Sequence, residues 1–287
     1  MKEHNGKFPL RMMAKVFKVS RAGYYKHINK KETQTMKKNK ELAAEIKSIF
    51  EVSRANYGSP RIHAVLKKKG VSCSRKRIAK IMKQNQIQAK TKKKWKPAAR
   101  ASRDSSKIAP NLLNQNFTTT RENTVWVLDI TYVETQEGWL YVSTVLDLYS
   151  RRIVGLSMGN RMNADLVIRS LNQAIHHRSP SAGLILHSDR GVQYTSSEYQ
   201  KLALENKFVL SMSAKGHCYD NAAMESFFHT LKTEHIFSHK FVTRKEAMRS
   251  IFEYIEVFYN RQRVHSTLNF VSPLEFEQQA VSTGRVG

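Results

Sequence analysis

The chain has 287 residues, of which 40% are hydrophobic and 9% aromatic, enough apolar side chain to fill a packed core and too much for wholesale disorder. No run of eighteen apolar residues occurs and the N-terminus lacks a continuous apolar stretch, so neither a membrane span nor a secretory signal is expected. The formal net charge of +26 points to a polyanionic partner. That charge is lopsided: residues 1–110 hold 31 of the 49 Lys and Arg but only 6 of the 23 Asp and Glu. A basic third attached to a nearly neutral body fits nucleic-acid binding better than a uniformly basic surface does. The length suits about two domains. Cys73 and Cys218, the only cysteines, lie far apart and form no disulfide framework, which suggests a reducing, cytosolic setting and inert thiols.

In chain order, residues 1–35 are expected to form a small helical element. Leu10, Met13, Val16 and Phe17 fall at helical spacing, and SRAGYY opens with a capping-type serine. Residues 36–90 form the next unit. ELAAEIKSIFEVS repeats Leu42, Ile46 and Ile49 on one helical face; in YGSPRIHAVLKKKG, Ser59 is a capping residue, Pro60 suits the first turn and Gly70 can terminate. The segment VSCSRKRIAKIMKQNQI restarts a helix with Ile78, Ile81 and Met82 inward and basic residues elsewhere. Two short helices around a glycine turn, the second basic, fit a helix-turn-helix. Arg61, Arg75, Lys76, Arg77 and Lys80 are its candidate DNA contacts, to phosphates first. Residues 91–115 mix Lys, Ser, Ala and Pro without periodicity and read as a basic linker.

Residues 116–287 change texture. TVWVLDITYV, WLYVSTVLDLYS and RRIVGLSM predict an antiparallel meander, the first strand apolar enough to be buried on both faces. Then come a helix opened by Asn163, the strand LILHSD, the helix SSEYQKLALEN, the strand FVLSMS, a helix DNAAMESFFHTLKTEH with Asp220 as its cap, and a long helix over about 243–260. The order β-β-β-α-β-α-β-α-α is that of a ribonuclease-H-like α/β layer, preceded here by an all-α basic region.

Three carboxylates are candidates for chemistry. Asp129 stands in the most apolar strand of the chain, where an ionised carboxylate is costly unless paired or ligated. Asp189 ends the strand LILHSD, where α/β folds present functional groups, and Arg190-Gly191 turns away from it. Glu225 shares one face of its helix with Asn221, His229 and Lys232. Each also has a plainer reading, as a hydrogen-bonded acid, a turn residue and a solvated helix residue. Asp147 competes for the first position; Asp129 is preferred because its strand is longer and because Arg151 and Arg152 offer Asp147 structural partners. Oxygen ligands suit Mg²⁺ or Mn²⁺ rather than zinc, and two such ions can polarise a phosphodiester from both sides. Lys232, seven residues past Glu225 and roughly 10 Å along the same helical face, is placed to hold a DNA phosphate. His187, His217 and His265 lack metal-site spacing, and no zinc-finger cluster precedes them.

Thirty-five residues separate Asp189 from Glu225, the spacing of a D,D-35-E retroviral-integrase-like core. With WVLDITYV, HSDRGVQYTS, KGHCYDNAAMESFFHTLKTE, YNRQRVHSTLNFVSPLEF and SPRIHAVLKKKGVSCSRKRIAKIMK in order, the chain resembles the OrfB transposases of the bacterial insertion-sequence-three family over nearly its whole length. The resemblance implies a ribonuclease-H-like fold, Asp129, Asp189 and Glu225 as a triad for two Mg²⁺ ions (Mn²⁺ substituting), and Lys232 as the basic residue that follows the glutamate. It implies cut-and-join chemistry on terminal inverted repeats and target DNA, a homo-oligomer on DNA, and a nucleoid-associated place in the bacterial cytoplasm. In that family the complete enzyme is usually a frameshift fusion whose upstream frame adds a helix-turn-helix and a leucine zipper, and no sustained heptad run appears here. The rival classes are a DNA-binding regulator that keeps the core as a scaffold and a nuclease for RNA–DNA hybrids. The basic helical region and the 35-residue spacing argue against the second.

Overall fold

The computed structural model describes residues 1–4, 6–29, 32–90, 108–214 and 221–282. Most of the expected basic linker, together with Asp220, His217 and Cys218, lies outside the described residues. The N-terminal region is helical throughout: α1 (Leu10–Val16), α2 (Arg21–Ile28), α3 (Gln34–Val52), α4 (Ser59–Lys68) and α5 (Arg75–Gln84). The expected first element is thus two helices. Ser20 caps α2 by accepting from the Gly23 N–H, and of the four apolar residues expected on its face only Met13 is fully buried, while Val16 and Phe17 are exposed. Helix α3 begins seven residues before the expected segment because Thr33 accepts from the Met36 N–H and caps it there.

The paired helices α4 and α5 follow the expectation with one correction. Gly58, not Ser59, is the cap of α4, so Ser59 and Pro60 both sit in its first turn. Gly70 ends the helix at a positive φ of 80°, with the Val71 N–H returning to the Leu66 carbonyl. Ser74 then caps α5 by accepting from the Arg77 N–H. Ile78, Ile81 and Met82 are buried against Ile46, Ile49, Ile62 and Leu66.

The body is a five-stranded sheet of β1 (Val125–Val133), β2 (Leu140–Asp147), β3 (Ile153–Gly159), β4 (Ile185–Ser188) and β5 (Val209–Met212), in the order β3-β2-β1-β4-β5. β1 to β3 form the antiparallel meander; β1–β4 and β4–β5 pair in parallel across the helices α6 (Ala164–Arg178) and α7 (Ser197–Glu205). Strand pleating sends alternate residues to opposite faces. Trp126 and Leu128 join α6 and α7 in one core, whereas Val125, Val127 and Val133 face α8 (Ala222–Glu234) in the other. The predicted long C-terminal helix is α9 (Arg244–Glu253), which widens into a π-helical stretch Tyr254–Tyr259; α10 (Pro273–Ser282) follows and was not expected. The described end of the expected linker is also tied down. The Leu112 N–H donates to Ser211 Oγ, the Met212 N–H to the Pro110 carbonyl, and Leu113 is buried.

The two halves share one core. The buried side chains of α3, α4 and α5 are contiguous with those of α8, α9 and the π-helical stretch. At the seam Tyr57 accepts from the Val264 N–H at 2.8 Å and is 4% exposed. Three ion pairs cross it, Arg54–Glu253, Arg61–Glu234 and Lys68–Glu275. The basic region is therefore docked on the sheet-bearing body rather than hung from it.

On the opposite face, Gly155 in β3 lets α6 press against the sheet: a Cβ there would stand 2.2 Å from the Ser170 carbonyl oxygen. Gly155→Ala is expected to destabilise the body by about 1–3 kcal/mol or more, since backbone rather than a flexible side chain must move. Chemical denaturation measures it.

Candidate active site on the central strands

The sheet order makes β1 the meeting point of antiparallel and parallel pairing, and the parallel side builds the site. Val125, Trp126 and Val127 pair with Ile185, Leu186 and His187. Continuing that register by two residues sets Asp129 beside Asp189, with both side chains on the same face of the sheet. Each carboxylate is held from the backbone: Asp129 Oδ1 accepts from the Ile130 N–H and Asp189 Oδ1 from the Gly191 N–H, both at 2.8 Å. Arg190 pins the turn after Asp189 by donating from Nε to the Ser213 carbonyl at 2.7 Å. Both aspartates are half-buried.

A third group joins them that the sequence reading passed over inside HSDRGVQYTS. Tyr194 is 1% exposed, and its hydroxyl has no hydrogen-bond partner among the described residues. Burial, followed by the charges of Asp129 and then Asp189, holds the phenol neutral far above its ordinary range. Two carboxylates acting on one orphaned buried hydroxyl make a strongly negative site, and the donors are all oxygen. That chemistry fits a hard divalent cation.

Glu225 lies in the first turn of α8, half-buried, with its carboxyl raised by burial. Helix α8 runs alongside β1 in the same direction, because Thr135 beyond the end of β1 bridges to Phe241 beyond the end of α8. The Lys232 ammonium sits 4.9 Å from the ring centroid of Tyr132 on β1. Three strand residues and seven helical residues each advance about 10 Å, so Glu225 comes to about the level of Asp129. Among the described residues, however, no three His, Cys, Asp or Glu side chains are gathered tightly enough to hold a metal ion.

The competitor Asp147 is a structural acid; of its two expected arginine partners Arg151 feels its charge and Arg152 does not reach it. It is fully buried, accepts from the Asn123 N–H at 2.7 Å and the Tyr149 N–H at 2.8 Å, and lies 3.8 Å from Arg178. Arg152 is turned to Glu277 instead. Burial outweighs these donors and pushes the Asp147 carboxyl up to about 6. Two histidines are likewise internal: His187 lies between Ser211 and Ser213, and His265 packs against Arg263.

The candidate DNA contacts divide. Arg75, Lys76 and Lys80 are exposed along α5. Arg77 is half-buried and donates twice to Asn39 Oδ1, at 2.9 and 2.7 Å. Arg61 is turned inward: it stacks on Tyr57 and reaches Glu234 at 3.4 Å, so the seam between the halves, not a groove of DNA, holds its guanidinium.

Comparison with known proteins agrees with this layout. Residues 37–95 match the HTH-like domain, and residues 119–218 and 225–281 match integrase core domains. The transposase InsF of insertion sequence IS3 from Escherichia coli is 36% identical over 97% of this chain and 97% of its own length. A 31 kDa protein of insertion element IS600 from Shigella sonnei is 43% identical over 93% of this chain and 98% of its length. The chain belongs to the IS3 family of insertion-sequence transposases. The IS904 transposase of Lactococcus lactis is a further relative, 44% identical over 83% of this chain and 93% of its own. Among solved structures, the HTLV-2 integrase catalytic core, in complex with magnesium, aligns at 14% identity and a TM-score of 0.43 over 54% of this chain and 96% of that one. Membership of this family makes the protein a DDE-type polynucleotidyl transferase with a ribonuclease-H-like core behind a helix-turn-helix-like region. No helix among the described residues is long and apolar enough to cross a membrane.

Asp147→Asn turns an amide NH₂ toward one of two backbone N–H groups that now meet a carboxylate. Equilibrium denaturation is expected to show a loss of about 1–3 kcal/mol. Strand cleavage by the folded variant should persist, which separates Asp147 from Asp129.

Proposed function

We propose that Asp129, Asp189 and Glu225 bind two Mg²⁺ ions, or Mn²⁺ in their place, and that this transposase uses them to cut and join the terminal inverted repeats of its element. What supports the reading is the placement of Asp129 within β1 and of Asp189 just past the end of the neighbouring parallel strand β4, both charges acting on the buried Tyr194 phenol. Bound cations would supply the charge that activates the attacking oxygen and steadies the leaving oxygen. The chain's own residues do the rest. Asp129 and Asp189 are fixed by backbone N–H groups and so offer a preorganised bed of oxygen ligands. Glu225, on a rigid helix at the same level, supplies the third carboxylate as the site closes on its substrate. Lys232 holds a phosphate of the bound strand from one edge. The first step is hydrolysis that frees a 3′-hydroxyl at the element's end; the second is attack of that hydroxyl on a target phosphodiester.

Residues 36–90 serve as the DNA-binding unit and residues 116–287 as the catalytic unit. On α5, Arg75, Lys76 and Lys80 take phosphates, with Arg77 positioned by Asn39 beside them; Arg61 leaves that set for the reason given above. The protein works as a homo-oligomer on paired ends in the bacterial nucleoid, and an upstream reading frame joined by frameshifting would add further end recognition.

Glu225→Gln, Asp129→Asn and Asp189→Asn are each expected to lower cleavage and joining of a terminal-repeat duplex in Mg²⁺ by about 100-fold or more, with DNA binding kept. Gel assays of nicked and joined strands decide it, and full activity of Glu225→Gln overturns the triad. Lys80→Ala is expected to weaken binding evenly across sequences and to reduce the salt dependence by about one phosphate contact. A titration of affinity against salt measures that.

A further inference from the structure

The last residue of the helix that carries Glu225 is a heavily coordinated buried acid. Glu234 is 8% exposed. It accepts from Arg263 twice, at 2.8 and 2.7 Å, and from the Tyr254 hydroxyl at 2.9 Å, all within the catalytic half. The N-terminal half then adds two cations. Arg61, from α4, reaches the carboxylate at 3.4 Å, and Lys90 donates to the Glu234 backbone carbonyl at 2.8 Å.

That carbonyl lies in the last turn of α8, where the helix leaves acceptors unsatisfied and where cations are favoured. Arg263 already supplies the opposite charge and Tyr254 a further donor, so Arg61 and Lys90 are not needed to make the burial of Glu234 tolerable. What they add is a mechanical tie between the DNA-binding half and one end of α8. The same helix carries Glu225 in its first turn and Lys232 two residues before Glu234. A helix moves as a rod, so an end held from the N-terminal half fixes where both side chains stand.

We propose that Arg61 and Lys90 are positioning residues: by gripping the C-terminal end of α8 at Glu234 they set the seat of Glu225 and make strand cleavage depend on docking of the DNA-binding half. This rests on the assignment of Glu225 as a catalytic ligand.

The test uses the full chain and a duplex carrying the terminal repeat that flanks its gene. Initial cleavage rates in Mg²⁺ are measured against DNA concentration for Arg61→Met, Arg61→Lys and Lys90→Met, with thermal melting alongside. The rate at saturating DNA is expected to fall about tenfold or more in both methionine variants. The half-saturating DNA concentration should stay within about threefold of wild type. Arg61→Lys, which keeps a cation near Glu234, is expected to recover most of the rate. An unchanged saturating rate, or a loss confined to the half-saturating concentration as for a simple phosphate contact, overturns the proposal. Should Arg61→Met fail to fold, Lys90→Met decides, since Lys90 is exposed and gives up only an ammonium. Glu225→Gln run in parallel separates the two readings: if it is inactive while both methionine variants match wild type, the tie alone fails; if it is active, the triad fails.

Discussion

Two like charges on neighbouring parallel strands are the constraint around which the body is arranged. At a strand spacing of about 5 Å, two ionised carboxylates repel by about 3 kcal/mol even with an effective dielectric near 20. The fold accepts that cost where the antiparallel and parallel parts of a five-stranded sheet meet, with a packed core on each face. It holds each aspartate to a backbone N–H, so neither can swing away. Tyr194, in the adjoining core, is held neutral first by its burial and then by the charges of Asp129 and Asp189.

The second organising feature is the seam. A chain whose charge excess is confined to its first third could carry that third on a loose tether. Instead, α3 to α5 share buried apolar contacts with α8, α9 and the π-helical stretch. Three ion pairs and the Tyr57 hydrogen bond lie across the junction. The exposed pair Lys68–Glu275 contributes little to stability on its own. The buried set around Glu234 is different, because a charge left there without its partners costs several kcal/mol.

What could be read from the sequence was local or periodic. The apolar run of β1 announced a central strand and singled out Asp129. Serine and threonine caps, the glycine turn of the paired helices and the apolar spacing of α5 follow from a few neighbouring residues, and most stood where expected. The misses were of two kinds. Small ones came from competing local signals, as where Gly58 rather than Ser59 capped α4 and Thr33 extended α3. Larger ones needed contacts distant in sequence. Arg61 and Glu234 are 173 residues apart, and nothing in SPRIHAVLKKKG distinguishes an arginine for DNA from one for a buried carboxylate. Arg178, 31 residues beyond Asp147, joined Arg151 as a charged partner in the place expected for Arg152. Tyr194 lay in a quoted motif but reads as an ordinary core aromatic until the strands bring both aspartates to it.

Lys90 has one more consequence. It fastens the chain to the end of α8 just before residues 91–107, and Pro110 and Leu112 fasten it to β5 just after. Seven Lys and Arg fall between those two points. The two anchors themselves lie on different elements of one body, the end of α8 and the outer parallel strand β5. The basic third of the chain is thus joined to the sheet at both borders of that stretch, so the connection between the halves is set by the fold and not by chain length alone.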